Sequence, residues 1–484
     1  MQYPIHAIFV VVYLLVLIGI GAMKAGKIKN QADFSLAGRG LTATILIGTM
    51  LATWIGTGSI FGNSEQTYKL GLGAFILPLG GVLGMILLYR LADRIRRLED
   101  FTIQDILERR FGVATRIIGT ICLLLAYVII VSYQYRAGSA VLERIFPSLS
   151  HVWAVVFVAV FVIAYTALAG MYSVAYTDVA NGILMVVGIF IAIPILWFKV
   201  QSGGGLESLP EAHRAVTSGW SFIHIVNWCL PTLLLILGDA NMYQRFFSAK
   251  DPAAAKRAAG WLIIGIAVLD CAIILLALLG RTLVDQGSIQ APEIPGQIVV
   301  SIAFEALPAF LGAMLMATIV AIVVSTADSF LLAPSTSVVR DVYKRFLKPA
   351  ASETEVVMVG RGVVVLFGLI ALGLAFTGDS FFKIALFAYT IYGASITPVI
   401  IAAFFWRRAT RMGAVASMLA GVGAALLWQT LQHFEVTESW ADATGWHWLA
   451  SLDAVLPALG LSLGVLILVS YLQPALPAEE TNAV

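Results

Sequence analysis

Thirteen apolar runs, most of them close to the length a helix needs to cross about 30 Å of hydrocarbon, occupy most of the 484-residue chain. They fall at about 5–24, 42–68, 71–91, 115–143, 152–170, 174–198, 220–246, 258–281, 299–334, 357–377, 380–405, 412–431 and 452–472. Lipid offers no water to backbone N–H and C=O groups, so runs of this kind must bond internally as helices. The chain therefore reads as an all-α polytopic membrane protein. Its 60% hydrophobic and 12% charged content fits, since soluble domains carry about 25% charge. The first run has no basic segment before it and no small-residue cleavage site after it. It runs into Lys24, Lys27 and Lys29 and reads as a retained span.

Thirty basic against 28 acidic residues give a net charge of +2, which leaves no field for nucleic-acid binding. Cys122, Cys229 and Cys271 lie inside apolar runs without metal or disulfide spacing, and no catalytic constellation is visible, so an enzyme is not expected. The stretch 93–111 interleaves both charge signs with Leu and Ile; it reads as an interfacial helix or solvated connector, and no obligatory protein partner is implied. The segments 24–39, 90–116, 244–258, 340–361 and 407–411 hold most of the basic residues and fall on one side if thirteen spans alternate. The positive-inside rule then puts the N-terminus outside, the C-terminus in the cytoplasm and the chain in the plasma (inner) membrane.

Two spans look broken. Ala52–Gly62, ATWIGTGSIFG, sets Gly56, Gly58 and Gly62 with Thr53, Thr57 and Ser59 in the middle of the second run. Glycines weaken a helix and can free carbonyls for a cation, although the same residues also suit close helix packing. In the seventh run, Pro231 and Gly238–Arg245, GDANMYQR, place Asp239 and Asn241 near membrane depth. Spans 2–6 and 7–11 then form two sets of five, each opening with a broken helix, the layout of an inverted-repeat transporter. The ninth run adds Thr318, Ile322, Ser325, Thr326 and Ser329 at spacings of three and four, a stripe rich in hydroxyls, with Asp328 beside it. Hydroxyls and free carbonyls suit a hard cation such as Na⁺, but also suit bonds within the bundle.

Through ATWIGTGSIFG, AGMYSVAYTDV (169–179), LGDANMYQRFFSAKD (237–251) and STADS (325–329), the chain resembles the sodium:solute symporter family across about residues 5–472. YSVAYTDV and STADS look most like its choline-transporter branch. The resemblance implies a leucine-transporter-type bundle of five plus five inverted helices: a peripheral span 5–24, a first repeat 42–198, a second 220–406, and two further spans over 412–472. It implies Na⁺ as coupling ion and alternating-access symport of a small polar solute into the cell. The first Na⁺ site would take the carbonyls of Ala52, Ile55 and Ile322 with the hydroxyls of Ser325 and Thr326. A second would use Asp178, Asp328 and Ser329, although Asp178 also suits an N-cap of the sixth helix. The solute pocket would draw on Trp54, Gly56, Thr57, Ser59, Tyr133, Gln134, Asp239 and Asn241, with Tyr389 or Tyr392 as gate. Gly81, Ile129 and Asp239 stand where a choline cage would place aromatics, which argues against choline. Rival readings are a solute-sensing receptor of the same fold and a Na⁺-independent uniporter or channel. The chain closes on LQPALPAEETNAV without a kinase-like region, which favours transport.

Overall fold

The computed structural model describes residues 4–25, 28–216, 220–377 and 380–474. Among the described residues there is no β-strand; one bridge joins Leu41 and Ala249. Eleven helices among the described residues are long and apolar enough to cross a membrane. A bent pair, Ala43–Trp54 with Gly58–Ile76 at 51°, and the shorter Pro78–Tyr89 complete the set read from the sequence. The helices used below are α1 (Pro4–Ala25), α2 (Ala43–Trp54), α3 (Pro78–Tyr89), α4 (Ile103–Phe111), α5 (Val113–Ile145), α6 (His151–Ser202), α7 (Phe222–Gly238), α8 (Ala240–Ser248), α9 (Pro252–Asp285), α10 (Ala309–Ser337), α11 (Glu353–Leu374) and α12 (Phe381–Phe405).

Helix α10 lies at the centre, with every residue from Leu315 to Ser337 buried. A helix enclosed on all sides has no polar outer face, so its hydroxyls must find partners inside the bundle. Helices α1, α5 and α6 pack around it. Helix α6 joins two predicted spans but changes direction at Gly170, whose φ is 58°. A Cβ there would come within 2.8 Å of the Phe34 ring and 2.9 Å of Ile28, so both the backbone conformation and the close approach require glycine.

Three details differ from the sequence expectation. Residues 298–306 form a separate short helical piece, Leu307 is extended (ψ 152°) before Pro308, and α10 begins only at Ala309. Proline has no N–H and disfavours helix in the residue before it, yet both flanking pieces are apolar and read as one run. Pro231 does not interrupt its span; α7 continues through it to Gly238 and the break falls at Asp239. The 93–111 stretch is not a solvated connector. A capping box of Thr102 and Asp105 starts α4, which buries Asp105, Ile106, Leu107 and Arg110, and Arg116 pairs with Asp105, Glu108 and Asp341.

The basic segments do meet at one end of the bundle. Arg39 donates to the carbonyls of Glu99 (2.6 Å) and Asp100 (3.1 Å), Arg96 to that of Ala249 (2.6 Å) and Arg110 to that of Arg407 (3.0 Å), while Arg345 pairs with Glu108 (2.7 Å). Arg245 is the exception, fully buried in the core.

Candidate ion and solute sites

Helix α2 ends at Trp54. Ile55 takes extended backbone (φ −74°, ψ 90°), and the chain resumes in π-type turns over Gly58–Asn63. The last carbonyls of α2 therefore lack helical partners, and α10 passes beside them. Ser325 Oγ donates to the carbonyls of Ala52 (3.0 Å) and Ile322 (3.2 Å), and Thr326 Oγ1 to those of Ala52 and Ile55 (3.5 Å each). These are the five oxygens assigned from the resemblance, and none of the five residues is more than 3% exposed. A hard cation held at about 2.3–2.6 Å puts neighbouring octahedral oxygens about 3.3–3.7 Å apart, so the cluster needs only slight expansion to admit one. The residues fit Na⁺.

Gly56 sits against this cluster, and a Cβ there would lie 2.8 Å from both Oγ1 and Cγ2 of Thr326. Gly56→Ala should displace the Thr326 hydroxyl and raise the Na⁺ concentration for half-maximal uptake about tenfold, read from a Na⁺ titration of transport; an unchanged titration would separate Thr326 from the ion. Thr318, on the same stripe, is not part of the cluster. Its hydroxyl bonds to the Leu184 carbonyl at 3.0 Å, where Gly188 leaves it room.

Asp178 and Ser329 do come together, with Arg245 between them. Asp178 accepts from Thr49 Oγ1 (2.6 Å) and faces Arg245 Nη2 at 3.5 Å; Ser329 Oγ accepts from the same guanidinium at 2.7 Å and lies 3.3 Å from Asp328 Oδ1. Asp178 lies well inside α6, two turns past Gly170, so the N-cap reading does not hold. Asp178 Oδ1 and Asp328 Oδ2 are buried without a hydrogen-bond partner among the described residues. Arg245 falls by sequence both in the seventh run and in a basic segment, and the structure puts it in the core; a cation immediately after an interrupted membrane helix is the signal for that.

A narrow cavity of about 50 Å³, room for a few water molecules, lies beside the first cluster. Trp54, Gly56, Ser59, Tyr133 and Asp239 line it as expected, and Tyr389 does too. Thr57, Gln134 and Asn241 do not: Thr57 is turned away from the break and bonds to Gln134, and Asn241 gives its backbone N–H to Asp239 at 3.0 Å. Tyr392 lies behind the wall, against the Tyr127 ring at 5.4 Å. Gly81, on α3, leaves space for the Trp54 ring, which would be 2.9 Å from a Cβ there. Asp239 caps α8 and accepts from the Tyr127 hydroxyl. The cavity shares Trp228, Phe382 and Leu386 with a larger vestibule of about 570 Å³ at the end of the bundle that carries residues 432–454.

Asp270, on α9, also lines the cavity and is only 4% exposed. Sequence reasoning passed over it, although it is the one carboxylate within the predicted span 258–281, whose other charge, Arg281, is its last residue, and a lone intramembrane carboxylate is itself a functional signal.

The description of the sodium:solute symporter family matches residues 34–421. The chain is 28% identical over 439 residues to the high-affinity proline transporter PutP of Bacillus subtilis (strain 168), covering 86% of this chain and 89% of that one. It is 26% identical over 448 residues to the sodium/proline symporter of Staphylococcus aureus (strain JH9), covering 87% and 85%. Proline, not choline, is the solute in both names. Among solved structures, an outward-open, substrate-bound Na⁺-coupled sialic acid symporter superposes with a TM-score of 0.82 at 18% identity, covering 97% of this chain and 98% of that one, so the fold is of the leucine-transporter type. With its family description matched over most of its length, the chain belongs to the sodium:solute symporter family.

Proposed function

We propose that Na⁺ binds first among Ala52, Ile55, Ile322, Ser325 and Thr326, ties α2 to α10, and so holds open the solute cavity that Thr326 also lines. The ion's contribution is larger in the outward-open state than in the closed one, which is what lets it shift the equilibrium. Solute then enters past Trp228, Phe382 and Leu386, the outer barrier closes, and rocking of one helix set against the other exposes both sites to the opposite face. Coupled symport by alternating access is the activity of this family, and the chain is a transporter and not an enzyme. The observation that carries the ion assignment is the pairing of the Ser325 and Thr326 hydroxyls with carbonyls freed by the Ile55 break. Uptake into proteoliposomes against a solute gradient, only with Na⁺ higher outside, tests the whole reading; Na⁺-independent equilibration would favour a uniporter. The two relatives named for proline make proline the first solute to try.

The vestibule end is read as the outer face, because the basic segments gather at the opposite end. The N-terminus is then outside and the C-terminus cytoplasmic. The repeats 42–198 and 220–406 each open with a helix broken at the site, at Ile55 and at Asp239, which supports the five-plus-five division.

Two carboxylates, Asp178 and Asp328, face one guanidinium in the second cluster, and the surplus negative charge supports a second cation there with Ser329 as a hydroxyl ligand. One ion falling through 100 mV gains about 2.3 kcal/mol. A tenfold gradient adds about 1.4 kcal/mol. One ion thus supports accumulation of a neutral solute by several hundredfold, and two ions by about 10⁵-fold. Asp178→Asn is expected to lower the measured Na⁺:solute ratio from two to one. An unaltered ratio would leave Asp178 only as the partner of Arg245.

A further inference from the structure

Asp178, Asp239, Asp270 and Asp328 are buried around the two helix breaks, and among the described residues Arg245 is the guanidinium buried with them. Buried charges are held only where something opposite answers them. Arg245 answers Asp178, the candidate Na⁺ sites lie at α2, α6 and α10, and Asp239 accepts from both the Tyr127 hydroxyl and the α8 N-terminus, whose dipole favours a negative charge. Asp270 has none of this. It sits in the middle of α9, with Asn63 Nδ2 at 3.4 Å, Ser59 and Trp54 as neutral donors, and no ion pair among the described residues. Helix α9 is unbroken from Pro252 to Asp285, so it frees no carbonyl of its own beside Asp270. The walls it faces are instead aromatic: Trp54, Tyr133 and Tyr389 line the same cavity, and no Lys, Arg or His does. Aromatic faces with a carboxylate attract an organic cation.

We propose that the transported solute presents a positively charged nitrogen, protonated or quaternary, and that Asp270 is its counter-ion in the cavity. This rests on the symport reading and adds the solute's class to it. A net anionic solute would meet two carboxylates with only the bound Na⁺ to answer it, which disfavours sugar acids.

The test uses the purified full chain in Na⁺, with thermal stabilisation read for pyrrolidine, proline, N-acetylneuraminate and glucose, alongside ²²Na⁺ binding. Pyrrolidine or proline should stabilise the chain in a Na⁺-dependent way, and the other two should not. Asp270→Asn should weaken the responding nitrogen compound at least tenfold with ²²Na⁺ binding retained, and Asp270→Glu should recover part of the loss. The proposal is overturned if the acid or the sugar is the better ligand, if neither nitrogen compound stabilises the chain, or if affinity survives in Asp270→Asn. Loss of ²²Na⁺ binding in both Asp270 variants would also overturn it, by making Asp270 an ion ligand. Absence of ²²Na⁺ binding in the unaltered chain would instead defeat the symport reading, and the two failures are thereby distinguishable.

Discussion

The Ser325→Ala, Thr326→Ala double variant is expected to lose Na⁺-driven uptake while keeping its fold. Each hydroxyl supplies one neutral oxygen to the candidate ion, and a hydrogen-bond-type contact to a charged group contributes about 1.5–3 kcal/mol. Removing one should raise the Na⁺ requirement about 10- to 100-fold, and removing both should put it beyond any physiological concentration. Stability should suffer little. Ser325 and Thr326 reach the carbonyls of Ala52 and Ile55 at 3.0–3.5 Å, but those carbonyls have lost only their helical bonds at a break that the fold already contains. A Na⁺ titration of uptake in the single variants, with a thermal melt of the double variant, checks both halves. An unchanged titration would remove these hydroxyls from the ion site.

Arg245→Ala is expected to do the reverse, damaging the fold first. The guanidinium reaches Asp178, Ser329 and Thr49, from α6, α10 and α2, and donates to the Asn241 carbonyl on its own helix. Removing one member of a buried ion pair costs about 3–5 kcal/mol, because the charge left behind keeps its desolvation penalty. The variant should express poorly and melt well below the parent protein. Adding Asp178→Asn should restore part of the loss, since the orphaned charge is then gone. Full stability of Arg245→Ala alone would show that a bound cation, and not Arg245, holds Asp178 in place.

What the sequence made legible follows from where its signals are local. Run length and the interrupting glycines are local, so the apolar runs and the Ile55 break were readable, and the residues 325 and 326 were placed through their helical spacing to the hydroxyl stripe. Side-chain direction in a broken segment is not local. The Ile55 break resets the helical phase, so the run of glycines and hydroxyls does not say that Thr57 faces Gln134 while Ser59 faces the cavity. Charge position is not local either. Arg245 and Lys250 belong to one basic segment by sequence, yet Arg245 is fully buried and Lys250 about half exposed. Asp270 was missed for a different reason: its run has no glycine or proline break, and attention to broken helices passed over an unbroken one.

Direct binding of ²²Na⁺ to the purified protein is the most immediate test of the ion site. The unaltered chain should bind the ion saturably, and the Ser325→Ala, Thr326→Ala variant, shown to be folded by its melt, should lose the component of that binding that supports uptake. Undiminished binding by the folded double variant, with uptake still driven by Na⁺, would place the coupling ion elsewhere in the bundle.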